Sequence, residues 1–347
     1  MAPAASASTM TTAKLFSAVT LGGNKSPVQL KHRVAMAPLT RVRTGDAGVH
    51  MDLEVQYYSQ RATDGGLLIS EATNISATAR GYFGAPGLFH QEPVEGWKPV
   101  TKAVHDKGGK IFAQLLHTGR RKDYVSPRAL DIFEIPGIIA DYKRAAENVI
   151  AAGFDGINRR TDKYGGSIEN RARLIFEVVE AVLSSLPSSE VGIWLSPFGD
   201  TFGCKDLAPR ETYGYVVDKL NDYNLAYLHV IERRGMHADH ANVPKGGVTH
   251  HFRSQYKGVL ITAAGFDRAE AMQIVEEGAA DLVAFSRDFI SNPDLVERLR
   301  TDAVLTPYDP KTFYVQPGMA LEAGYTDYPF LGEEDKGERS TNFVWES

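Results

Sequence analysis

Arg33-Val-Ala-Met-Ala-Pro-Leu-Thr40 is the stretch on which the reading of the whole chain turns. A run of small and β-branched residues that stops at Pro38 has the pattern of a buried strand, because proline has no N–H for a sheet ladder and marks where pairing ends. Such a strand delivers Pro38, Leu39 and Thr40 to its C-terminal end. In a barrel of parallel strands that end is the rim on which chemistry is placed.

The same unit recurs downstream. Leu53 to Asp64 has helical spacing and stops at Gly65-Gly66, and Gly66 to Glu71 then reads as a buried strand. Pro93 to Lys107 is a helix closed by Gly108-Gly109, followed by a strand over Lys110 to His117. Pro136 to Ala152 and Ser167 to Ser185 are helices, the second with Ser167 as its N-cap. Strands at Val191–Ser196, Ala226–Ile231, Val259–Ala264 and Asp281–Phe285 alternate with helices at Pro209–Tyr223, Thr249–Tyr256, Arg268–Glu277 and Pro293–Arg300. With a weak strand at Phe154 to Ile157 the count is eight, and repeated βα units with right-handed crossovers close at eight. The expectation is one TIM (β/α)8 barrel over residues 15–331 with a shortened fourth strand, between tails at 1–14 and 332–347.

Composition narrows the partners. Of the 347 residues 43% are hydrophobic and 23% charged, an ordinary globular mixture with enough apolar material for a core. A formal net charge of −5, with both signs interspersed, gives no basic face for nucleic acid or anionic lipid. Small molecules fit better. A lone cysteine, Cys204, can form neither an internal disulfide nor a thiolate metal site, which suits a reducing compartment and points to the cytosol. No window approaches the ~20 apolar residues of a membrane span. The Ala/Ser/Thr-rich stretch up to Lys14 lacks the apolar core of a signal peptide and the arginines of a transit peptide.

Several residues have the chemistry for a site. Ala264-Gly265 and Ser286-Arg287 follow strands seven and eight, where small residues let backbone amides approach an anion and an arginine supplies a fork of donors. A phosphorylated cofactor suits them; a solvated strand end is the plain reading of Arg287. Gln114 lies in an otherwise apolar strand, and a buried amide needs partners there, from a ligand or from neighbouring backbone. Thr40 and His117 carry the same two readings. Met236-His-Ala-Asp-His240 with His250-His251 has donor types that zinc or iron accept, but the spacing matches no ligand template.

Met36-Ala-Pro-Leu-Thr-Arg41, Ile69-Ser-Glu-Ala-Thr73, Gly81-Tyr-Phe, Gln114 with His117-Thr-Gly-Arg120, Tyr124-Val-Ser-Pro-Arg128 and Arg160 through Arg171 together resemble the old yellow enzyme family. So do Leu195-Ser-Pro-Phe-Gly199, Ala226 through Glu232, Ala280 through Phe285 with Arg287, and Thr312-Phe-Tyr314 followed by Gly324 through Pro329. They stand in the family's order. The resemblance implies an FMN-bound TIM barrel that takes hydride from NADPH and passes it to the β-carbon of an α,β-unsaturated carbonyl, an enone or enal. By the same resemblance Pro38, Leu39 and Thr40 line the flavin ring, Thr40 by a hydrogen bond. Ala72 and Gln114 touch the ring, Gln114 along its pyrimidine edge. Ala264, Gly265, Ser286 and Arg287 hold the phosphate, and Tyr325 reaches toward the substrate or nicotinamide. The organic chemistry is the cofactor's and the barrel supplies position and electrostatics.

Departures from the family's pattern carry as much meaning. Members resembling this chain follow the counterpart of Ala151–Gly156 with a histidine and an asparagine or second histidine that grip the substrate carbonyl, then a tyrosine that protonates the α-carbon. Here Gly156 runs into Ile157-Asn-Arg-Arg160 and the downstream loop resumes at once. A second segment is missing between Arg120 and Arg121. Trp194 stands where the family places an arginine near the flavin N1 and O2, and Ser286 replaces a glycine. These differences leave two expectations: an ene-reductase impaired in substrate binding and proton supply, or an inactive barrel kept as a flavin-binding or scaffold protein.

Overall fold

The computed structural model describes residues 13–118, 130–159, 167–199, 206, 208–234 and 243–333, and of 156–159 the backbone only. Ten strands divide into a short hairpin, β1 (Val19–Thr20) with β2 (Gln29–Leu30), and a closed ring of parallel strands. The ring runs β3 (Val34–Met36), β4 (Leu67–Asn74), β5 (Lys110–Leu116), β6 (Gly156–Arg159), β7 (Val191–Leu195), β8 (Tyr227–Ile231), β9 (Leu260–Ala263) and β10 (Leu282–Phe285), and β10 pairs back onto β3. Eight parallel strands thus form the expected α/β barrel. Sequence neighbours are spatial neighbours throughout.

Helices cover the outside. They include α1 (Asp52–Arg61), α2 (Gln91–His105), α3 (Ile135–Ala151), α4 (Ile168–Leu183), α5 (Pro209–Leu220), α6 (Val248–Arg253), α7 (Arg268–Glu276), α8 (Arg287–Ser291) and α9 (Leu295–Thr301). Ser167 caps α4 by accepting from the Asn170 amide at 3.3 Å, as its position before the apolar run predicts.

Side chains split by the period of two. Ala35, Ala37, Leu67, Ile69, Phe112, Tyr227, Ile261, Ala263, Leu282 and Ala284 form one buried cluster, inside the ring. Their alternates, among them Val34, Leu68, Ile111, Ile193, Leu228 and Val283, join the helices in a second. The interior is uneven: at or beside the ends of β9, β10 and β3 the inward residues are Ala263, Ala284 and Ala37, whereas β4, β5 and β8 contribute Ile69, Phe112 and Tyr227. Room opens at the alanine side.

Two features were not expected. The β1–β2 hairpin seals the N-terminal end of the ring, with Leu21 and Leu30 in the interior cluster and Gly22 donating to the Ala226 carbonyl at 2.8 Å. A Cβ on Gly22 would stand 2.1 Å from the Leu225 carbonyl oxygen, so only glycine passes there. Strand four also starts later than Phe154: that ring turns outward onto Trp97, with centroids 4.7 Å apart, and Asp155 hydrogen-bonds Ile111 as the chain enters β6.

Buried arginines fasten the C-terminal segment to the rim. Arg41 donates to the carbonyls of Phe313 (3.1 Å), Thr312 (3.2 Å) and Gly324 (2.7 Å), and Arg43 to those of Leu321 (2.9 Å), Thr312 (3.0 Å) and Ala323 (3.1 Å). Arg61 takes the Tyr325 carbonyl at 3.1 Å, and Tyr325 stacks on Tyr57 at 4.0 Å with planes 7° apart. Arg41→Ala removes the donor to the Gly324 carbonyl and the Tyr57 hydroxyl, and leaves Thr312 and Phe313 to Arg43 alone. The expected outcome is a loss on the order of 3 kcal/mol in denaturant unfolding, with proteolysis accelerated between Thr312 and Tyr325; an unchanged midpoint would show that the segment docks without this residue.

Candidate functional site

At the C-terminal rim the ring order places β9, β10, β3, β4 and β5 side by side. Nine of the ten residues singled out from sequence fall on that arc. Ala264 and Gly265 leave β9, Ser286 and Arg287 leave β10, Pro38 to Thr40 follow β3, Ala72 lies in the C-terminal half of β4 and Gln114 lies in β5.

The β4 end is bent for this. Its register against β5 shifts between Ile69 and Ala72, which brings Ala72 directly beside Gln114. Gln114 is buried, its backbone amide donates to Ser70 Oγ at 3.0 Å, and its side-chain amide has no partner among the described residues. The Thr40 hydroxyl likewise has none. An unpaired amide and an unpaired hydroxyl on one arc suit a ligand edge that carries both carbonyl and N–H.

At the other end of the arc the backbone is strained. Ala264 has φ +92° and Gly265 φ +71°; for alanine this is a costly conformation, of the kind that accumulates at ligand sites. The amides of Gly265, Phe266, Ser286 and Arg287 donate to nothing among the described residues. Arg287 is exposed and held by Tyr308, whose hydroxyl accepts from Nη1 at 3.1 Å. Gly265, Arg268, Ser286, Arg287 and Tyr308 line a cleft of about 310 Å³. Free amides with a guanidinium beside them are an anion cradle, and the group they fit is a phosphate.

Glu71 supports the rim from behind. Its Oε2 accepts from the amides of Arg41 (3.0 Å) and Val42 (3.1 Å), holding a β-branched residue at φ +53°. Its Oε1 is buried without a partner, and burial pushes the carboxyl pKa up to about 7. The sequence carried this residue only as part of a motif.

Tyr325 belongs to none of the arc's strands. It is completely buried between Tyr57 and the Arg43 guanidinium, 4.5 Å from the ring centroid, and its hydroxyl has no partner. Contact with a substrate would require that stack to open. Tyr314, on the same segment, is about half exposed.

Across the mouth stand Trp194 on β7 and His229 on β8, paired in register, with rings 6.4 Å apart. His229 is wholly buried, both ring nitrogens lack partners, and burial lowers its pKa to about 3, so it is neutral. Its place two residues after inward-facing Tyr227 is the signal for its direction. His117 is half-buried, with its amide on the Tyr142 hydroxyl. The histidine run at 236–240, the segment 124–128 and the loop 160–166 lie outside the described residues. Among the described residues no group of three His, Cys, Asp or Glu could hold a metal, and no helix is long and apolar enough to cross a membrane.

Comparison with known proteins gives the family. A family profile described as NADH:flavin oxidoreductase / NADH oxidase matches residues 14–126 and 156–305. The chain is 42% identical to 12-oxophytodienoate reductase 1 of Oryza sativa subsp. japonica, over 90% of this chain and 93% of that one. It is 39% identical to 12-oxophytodienoate reductase 2 of Arabidopsis thaliana, over 87% and 92%. The match to the rice protein is 359 residues long yet takes in 90% of a 347-residue chain, so the rice protein has internal residues without a counterpart here. Among solved structures, morphinone reductase superposes with a TM-score of 0.83 at 38% identity, covering 94% of this chain and 98% of that one. A complex of morphinone reductase with tetrahydroNAD gives 0.82 at 40% identity, over 91% and 97%.

Proposed function

The chain belongs to the NADH:flavin oxidoreductase / NADH oxidase family, and from that membership we propose that it is an FMN-dependent ene-reductase acting on α,β-unsaturated carbonyls, curtailed at its fourth strand. FMN and a nicotinamide reductant follow from the family. The arc carries the reading: five adjacent strands present unpaired amides and Arg287 at one end and the unpaired Thr40 and Gln114 groups at the other. When bound, FMN supplies the hydride relay between nicotinamide and alkene.

The chain's residues do the rest. Ala264, Gly265, Ser286 and Arg287 hold the phosphate. Ala37, Ala263 and Ala284 leave space beneath the rim, Pro38 and Leu39 wall it, and Ala72 lets the ring approach β4. Thr40 donates its hydroxyl hydrogen, and the Gln114 amide meets a donor and an acceptor on the pyrimidine edge. Against this, nothing among the described residues replaces the missing carbonyl donors, each worth about 3 kcal/mol of barrier in comparable sites, or the missing proton source. Turnover is therefore slow, and the second reading, a flavin-binding barrel without useful turnover, rests on that same gap after Gly156.

Purified protein mixed with FMN and passed over a desalting column is expected to stay yellow, to bleach under anaerobic NADPH, and to recover colour slowly on adding an enone. Failure to retain FMN rejects the cofactor site. Bleaching without recovery leaves the scaffold reading.

A further inference from the structure

Arg234 leaves β8 and lies outside the β9 turn. Its Nη1 donates to the Gly265 carbonyl at 3.1 Å and to Glu270 Oε2 at 2.6 Å, and its guanidinium carbon sits 4.1 Å over the Phe266 ring. Glu270 in turn accepts from the Asp267 amide at 3.1 Å, while its own amide donates to Asp267 Oδ1 at 2.8 Å, the reciprocal capping box that opens α7. So one guanidinium ties together a turn, a ring and a helix start.

Glycine at positive φ can present the following peptide either way round. In a trans peptide the C=O and the next N–H point in opposite directions, so whichever way the Gly265 carbonyl faces, the Phe266 amide faces the other. A carbonyl turned into the cleft would set a partial negative charge against an anion. Arg234 holds the carbonyl on the outside, and the amides of Gly265 and Phe266 are left without acceptors among the described residues.

We propose that Arg234 is a positioning residue that fixes the Gly265–Phe266 peptide with its carbonyl outward and so aligns the amides that receive the cofactor phosphate. This rests on the FMN reading. Arg234 itself never touches the flavin. A Cβ on Gly265 would lie no closer than 3.8 Å to the arginine, so the glycine answers to the backbone conformation and the arginine to its direction.

The test compares FMN with riboflavin, which lacks the phosphate, by fluorescence titration of the flavin-free protein. Wild type is expected to prefer FMN. Arg234→Met keeps an apolar stem over Phe266 and is expected to weaken FMN about tenfold, the scale of one hydrogen bond to a charged group, with riboflavin unchanged. Arg234→Lys, still a donor, recovers part of the preference. A merely structural role would weaken both flavins alike, and that result, or an unchanged ratio in both variants, overturns the brace. A wild type that binds the two flavins equally overturns the phosphate site and the brace with it.

Discussion

Inserting the rice reductase segment that follows its counterpart of Gly156 between Gly156 and Ile157 is expected to raise enone reduction by the FMN-loaded protein at least a hundredfold. By the family resemblance that segment carries the carbonyl-gripping pair and the tyrosine that protonates the α-carbon. Positioned proton transfer alone contributes roughly a hundredfold to ten-thousandfold, and each restored donor adds to it. The structure says where the inserted residues would stand. β6 runs beside β5 with Asn158 next to Gln114 and Arg159 next to Leu115, so whatever extends strand four emerges at the mouth beside Gln114. Both proteins are compared for NADPH oxidation with 2-cyclohexenone, and FMN affinity serves as the control. If affinity holds and the rate does not rise, the missing segment is not the limiting defect. Trp194 is then next in line, because the family resemblance expects an arginine at that point of β7, and Trp194→Arg should show in the flavin reduction potential.

Much of this was legible before any coordinates. Glycine pairs, proline entries and apolar runs of strand length are local signals, and they recovered the alternation that closes the ring. The arc of site residues was legible because strand ends in such a barrel share one rim. What escaped was set by distance along the chain. The two-residue strands of the hairpin are too short to show a period, and contacts far along the chain order them, among them Gly22 with Ala226, Asn24 with Ser188 and Lys31 with Gly65. Arg41, Arg43 and Arg61 give no sign of burial in sequence, because acceptors of each are carbonyls more than 220 residues away. Arg234 escaped for another reason. Its role lies in the direction of one peptide plane, which no residue pattern records.

A second large effect is acid instability, and its sign follows from burial. His32, His50 and His229 are each buried, and desolvation lowers their pKa values to about 4, 3 and 3. In the unfolded chain a histidine titrates near 6.5. Between that value and the folded one the unfolded state binds the proton and the native state does not, so stability is complete above pH ~6.5 and lost as pH falls. At pH 5 each costs about 2 kcal/mol, about 6 together for sites on separate elements. Glu71 opposes them. Its folded pKa of about 7 lies above the unfolded value, so the native state holds that proton more tightly and recovers about 2 kcal/mol between pH 7 and pH 5. The net expectation is a loss of about 4 kcal/mol over that interval, nearly a thousandfold in the folding equilibrium. His50, whose ring nitrogens make no hydrogen bond although Nδ1 lies 4.0 Å from Glu54 Oε2, packs its ring 3.8 Å from that of Trp97 and is none of the residues assigned to the cofactor, so it gives the cleaner test. Whatever His50→Phe costs in packing, its effect on unfolding free energy should be about 2 kcal/mol more favourable at pH 5 than at pH 7. Glu71→Gln should shift the other way, steepening the acid loss because the counterweight is gone. If neither substitution changes the pH dependence of denaturant unfolding, the acid sensitivity resides elsewhere, and these buried groups are either hydrated or already paired.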